Sequence, residues 1–100
     1  MNYQTPRTGV RNLGDLRRFS QNRQVTWDAG HPQRNNTKAA ARAAHYLAPY
    51  VDSESGGEID SGFRDLLNDL RHLADALGLD FDTESASAQR SYRDEIAGRY

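Results

Sequence analysis

Apolar residues along this 100-residue chain fall into one strong pattern and several weaker ones. Phe63, Leu66, Leu67, Leu70, Leu73, Ala74 and Leu77 recur at intervals of three and four, and Arg64, Asp65, Asn68, Asp69, Arg71, His72 and Asp75 fill the positions between them. That is the period of an amphipathic α-helix with one apolar stripe. Ser61 is placed to cap it, and Gly78 stands where a left-handed residue ends a helix. Asp82 then opens a second helix, with Phe81 before it able to pack back on Ala86, and Ala88, Tyr92, Ile96 and Tyr100 follow at four-residue intervals. The link Leu79–Asp82 is short, so the two helices are expected to lie antiparallel over residues 61–98 with the leucines between them. Burying one leucine is worth about 1.5–3 kcal/mol against about 0–1 kcal/mol for a surface ion pair. The hairpin is therefore expected to be the nucleus of the fold.

Upstream the pattern weakens. Residues 1–9 hold Pro6, Thr8 and Gly9 without periodicity and read as an extended, flexible arm. Val10, Leu13, Leu16 and Phe19 predict a short helix weakened by Gly14. "QVTW" (Gln24–Trp27) has strand-favouring residues but is too short to support a sheet, and "DAGHPQRNN" (Asp28–Asn36) reads as loop. Thr37 is the expected cap of the alanine-rich helix "KAAARAAHYLA", which Pro49 should end near Ala48. Residues 52–60, polar and glycine-rich, read as a second loop. The sum is an all-α domain of three or four helices built on the C-terminal hairpin.

Composition narrows the class. Apolar residues are 36% of the chain, or 44% with the eight glycines, so it is polar without falling in the disordered class. No cysteine is present, which removes disulfides and thiolate metal sites and fits a reducing compartment. No apolar run approaches the length of a membrane span and the start lacks a signal-type apolar segment, so a cytoplasmic protein is expected. Charge is divided: residues 1–50 carry eight basic and two acidic side chains, +6, and residues 51–100 carry five and twelve, −7. Either the halves attract each other in the fold, or they form two faces with separate partners.

Candidate chemistry is thin. His31, His45 and His72 have no metal-binding spacing, and neither a nucleophile elbow nor a phosphate loop occurs. Asp65, Asp69 and Asp75, with Asp94 and Glu95 downstream, resemble the paired carboxylates of all-α nucleotide pyrophosphohydrolases of the MazG type, which hold Mg²⁺ through ExxE on one helix and ExxD on the next. Here the first helix has no glutamate, and Asp94 and Glu95 are adjacent, so the octahedral convergence Mg²⁺ needs is not encoded. A metal-dependent nucleotide hydrolase is the weakest of three readings, and no cofactor is expected. Arg11, Arg17, Arg18 and Arg23 with Trp27 could neutralise phosphates and stack on bases, which makes a nucleic-acid-binding regulator the second reading.

"DLLNDLRHLADALGLDFD" (Asp65–Asp82) with the later "YRDE" (Tyr92–Glu95) resembles a C-terminal segment of short accessory proteins of bacterial phages and plasmids. The likeness spans about Phe63 to Ile96 and carries no assigned activity. It implies a small non-enzymatic module that binds a host protein or complex stoichiometrically, for example as an inhibitor of a CRISPR or restriction system. The partner-binding residues expected on that reading are Arg11, Arg17, Arg18, Arg23 and Trp27 on one side, or Asp65, Asp69 and Asp75 on the other. The alanine-rich helix could pack within the chain or against another copy, giving a homo-oligomer.

Overall fold

The computed structural model describes residues 2–100; Met1, the first residue of the expected arm, lies outside them. The fold is all-helical, with no strand among the described residues: α1 (Leu13–Ser20), a single 3-10 turn (Gln21–Gln24), α2 (Pro32–Glu54), α3 (Ile59–Leu77) and α4 (Phe81–Ile96). Accordingly "QVTW" contributes only a helical turn residue and irregular backbone.

α1 starts at an Asn12 cap whose side chain accepts from the Asp15 N–H. α2 is longer than the sequence suggests at both ends. It begins at Pro32, not after Thr37, because proline at the first helical position brings its own helical φ and has no N–H to satisfy. The asparagines that read as loop residues are tertiary clamps. Asn35, buried, donates to the Asp28 carbonyl at 2.7 Å and accepts from the Asp28 N–H at 2.9 Å. Asn36 donates to the carbonyls of Tyr3 and Glu95. Pro49 does not end the helix, which runs on to Glu54. The carbonyl that Pro49 leaves unpaired is that of His45, an exposed position where water can take it, while buried Ala48 and Val51 hold the helix on either side.

The loop expected over 52–60 therefore shrinks to residues 55–58. It turns on Gly56 (φ 58°) and Gly57 (φ 87°), conformations that favour glycine. α3 starts at Ile59 after Glu58, so Ser61 sits in its first turn with its hydroxyl on the Glu58 carboxylate. Gly78 ends α3 in the left-handed conformation (φ 72°), with the Leu79 N–H on the Ala74 carbonyl at 2.9 Å, as the sequence predicts. The cap of α4 is Asp80 rather than Asp82; its carboxylate accepts from the Thr83 N–H. Phe81 is then the first helical residue, under the Arg71 guanidinium at 4.4 Å, instead of stapling onto Ala86.

The largest departure concerns the hairpin. α3 and α4 meet at their connecting turn but do not pack along their lengths: α4 has no buried residue, and Ala74 near the turn is the one buried residue of the expected stripe. The physical reason is in α4 itself. Between Phe81 and Tyr92 its only apolar residues are Ala86 and Ala88, among Ser85, Ser87, Gln89 and Ser91, so its face has too little bulk to match the leucines. Instead α2, α3 and α4, roughly 34, 28 and 24 Å long at the helical rise, join end to end into an open three-sided frame. The third corner is closed by the Asn36–Glu95 bond and by the Tyr100 hydroxyl, which donates to the Pro32 carbonyl or Asn36 Oδ1. Residues 2–11 carry no helix beside this corner, but they do not hang free: the Tyr3 N–H donates to the Ile96 carbonyl at 2.7 Å, and the Gln4 amide reaches the Tyr92 hydroxyl. The molecule is a slab of 38 × 33 × 19 Å.

The core lies between α1 and α2. Leu16, Ala44, Leu47, Ala48 and Val51 are buried together, and Val10, Leu13, Phe19, Ile59 and Leu66 pack against them. Four of the seven buried apolar residues are alanines, so the core has little volume.

Candidate protein-binding groove

Of the α3 stripe only Leu66 packs on this core and only Ala74 is buried, so the large side chains on either side of Leu66 are left outside. Phe63, Leu67, Leu70, Leu73 and Leu77 are between 39% and 62% exposed. Phe63, Leu67 and Leu70 line a groove of about 450 Å³, and Leu73 and Leu77 continue the same helix face outside it. Its floor is the small-residue side of α2, at Ala40, Ala43 and Ala44, Phe19 of α1 also lines it, and its wall on α3 is Phe63, Leu67 and Leu70. Small side chains on the floor let another backbone approach closely, and leucines on the wall supply the area such an approach would bury. Most of the groove surface is apolar, so it offers little to orient a polar substrate.

The side chains singled out from the sequence do not converge. Arg17 pairs with Asp52 at 3.3 Å, and Arg18 pairs with Asp15. Arg23 turns back to the Ser20 carbonyl at 2.8 Å, and Arg11 is exposed with its backbone N–H on the Asp15 carboxylate. Trp27, 52% exposed, meets the Tyr100 ring edge-on at 6.1 Å. On the other side, Asp65 accepts from the Ser55 hydroxyl and Asp69 from the Tyr50 hydroxyl at 2.6 Å, while Asp75 is exposed at the far end of α3. Among the described residues no group of three or more histidines or carboxylates is placed to hold a metal ion, and no helix is long and apolar enough to cross a membrane.

Electrostatics of the site are local. Asp15 is held below the usual carboxylate range by the Arg11 backbone N–H first and the Arg18 guanidinium second. Asp28 is held down by the Gly30 N–H and by His31. The Tyr50 phenol is pushed up to about 12, chiefly by its hydrogen bond to the Asp69 carboxylate, which strengthens while the phenol keeps its proton. An unfolded tyrosine titrates near 10. Between about pH 10 and 12 the folded chain keeps a proton that the unfolded chain has lost, so this contact stabilises below pH 10 and is lost as pH rises through 12. The Tyr100 phenol is also raised, by its burial, so absorbance titration should assign the late Tyr50 phenol by its disappearance in Tyr50→Phe. Asp69→Asn should return that same phenol toward 10, and a titration of Asp69→Asn identical to the wild type would refute the assignment.

Four arginine–carboxylate ion pairs and a His31–Asp28 contact occur among the described residues, and only Arg17–Asp52 joins the basic half to the acidic half. The charge division read from the sequence is thus not neutralised by packing one half on the other. Sequence reasoning missed the groove because it assigned the leucines to a seam with α4; the signal that could have found it is the serine-rich middle of α4, which cannot form one side of a seam. No family model, characterised protein or solved structure matches the chain.

Proposed function

We propose that this protein is a non-enzymatic binding module whose working surface is the α2–α3 groove with its leucine wall. The single observation that carries the reading is the exposure of five large apolar side chains on one face of α3, three of which, Phe63, Leu67 and Leu70, line a groove with the alanines of α2. A contiguous apolar face of this kind, rimmed by charge, marks a surface that another protein covers. The groove suits an amphipathic helix that inserts anchors at three- and four-residue spacing. The likeness to accessory proteins of mobile elements points the reading to a host protein in the cytoplasm, bound one to one, with inhibition of a defence complex as its form. Arg11, Arg17, Arg18 and Arg23 in the basic half, and Asp65, Asp69 and Asp75 on α3, then serve to steer the encounter.

Affinity capture from host lysate, read by mass spectrometry, tests this. A protein retained in stoichiometric amount on the wild-type chain should be lost on Leu67→Glu, with binding at least a hundredfold weaker, because a buried anchor in such a face is worth about 2 kcal/mol or more and the carboxylate would be left unpaired. Circular dichroism of Leu67→Glu should match the wild type, since that side chain lies outside the core. Retention of the same protein on both chains would refute the assignment of the surface.

A further inference from the structure

We infer that the leucine face of α3 pairs two copies of this chain, each laying its α3 across the groove of the other about a two-fold axis. This rests on the reading of that face as a protein interface and names its occupant. Surface area is the first argument. The chain exposes 7147 Å², whereas a monomer of 11.3 kDa ordinarily exposes roughly 5,700 Å². The excess, about 1,400 Å², is more than the roughly 800 Å² that one partner covers at a standard interface. The radius of gyration, 14.7 Å against about 13 Å for a compact chain of this length, reports the same openness.

The second argument is what the single chain leaves unsupported. Among the described residues Val51 is the only large side chain with no measurable exposure, and α4 runs sixteen residues without burying one. The ties of α4 to the rest of the chain lie toward its two ends, at Asp82, Tyr92, Glu95 and Ile96. A second copy seated inside the open frame would cover the leucines and lie beside α4 at once.

Charge selects the copy over an unrelated chain. The halves carry +6 and −7, only one ion pair joins them, and the net charge is −1. Two copies therefore repel little overall, and a two-fold arrangement that sets the α3 of each, with two basic and four acidic side chains, against α1 and α2 of the other, with five basic and three acidic, pairs opposite signs. The chain is its own electrostatic complement. A host protein using the same face has to displace the second copy, so pairing and capture exclude each other.

Sedimentation equilibrium of the unmodified full chain tests the inference. The expected mass is twice 11.3 kDa, and Tm should rise with chain concentration, as it does when association stabilises the fold. Leu77→Gln alters a side chain that is 62% exposed in the single chain and so touches no core contact; it should raise the dimer dissociation constant at least tenfold, since both copies lose a leucine. A dimer unaffected by Leu77→Gln overturns the inference, as does a single-chain mass with a concentration-independent Tm. In the latter case anilinonaphthalene sulfonate separates the two readings. Bright one-to-one binding leaves the face open as an interface for another protein, and no binding removes both.

Discussion

Leu47→Ala should cost about 2–5 kcal/mol of unfolding free energy, and Leu73→Ala less than about 1 kcal/mol, when both are measured by urea unfolding at a concentration where the chain is single. The substitution is the same; the surroundings are not. Leu47 is buried against Leu16, Ala48 and Val51, so truncation leaves a cavity in a core that is already short of volume. Leu73 is half exposed on the outer part of α3, where removing methyl groups opens no cavity. Equal costs would mean that the α3 stripe belongs to the core after all.

Gly62→Ala should lower stability by about 1–3 kcal/mol, against the gain of up to ~1 kcal/mol that alanine brings to an ordinary helix interior. A methyl group at Gly62 would stand 2.6 Å from Val51 Cγ2 and 3.4 Å from the Val51 Cα. Val51 is fully buried and β-branched, so it cannot swing aside, and α2 and α3 would have to separate. Thermal or urea denaturation reads the sign directly; a stabilised Gly62→Ala would show that the two helices do not touch there.

How far the fold could be read from sequence depended on whether a signal was local. Gly78 and the α3 stripe are local, and both elements are where periodicity and turn chemistry place them. Helix ends set by distant partners were misread. Asn35 and Asn36 look like loop residues until Asp28, Tyr3 and Glu95 are there to receive them. Pro49 looks like a stop until buried neighbours on both sides hold the helix through it. The stripe itself was legible but its use was not. Periodicity says which residues share a face, not what covers that face, and the deciding feature was the poverty of α4 in bulky apolar residues.

The same reasoning explains why the charged residues did not assemble into a site. Arg17, Arg18 and Arg23 each find a partner within one or two turns or on α2, and Asp65 and Asp69 take hydroxyls from Ser55 and Tyr50. They are engaged in separate local contacts and do not converge.

Thiol labelling tests the central claim most directly, because the chain has no cysteine of its own. With one cysteine introduced at a time, Leu73→Cys should label orders of magnitude faster than Leu47→Cys in the dilute, single chain, and should become protected as concentration rises and copies pair. Slow labelling of Leu73→Cys in the single chain would contradict the account, since the leucines of α3 would then already be covered by the chain itself.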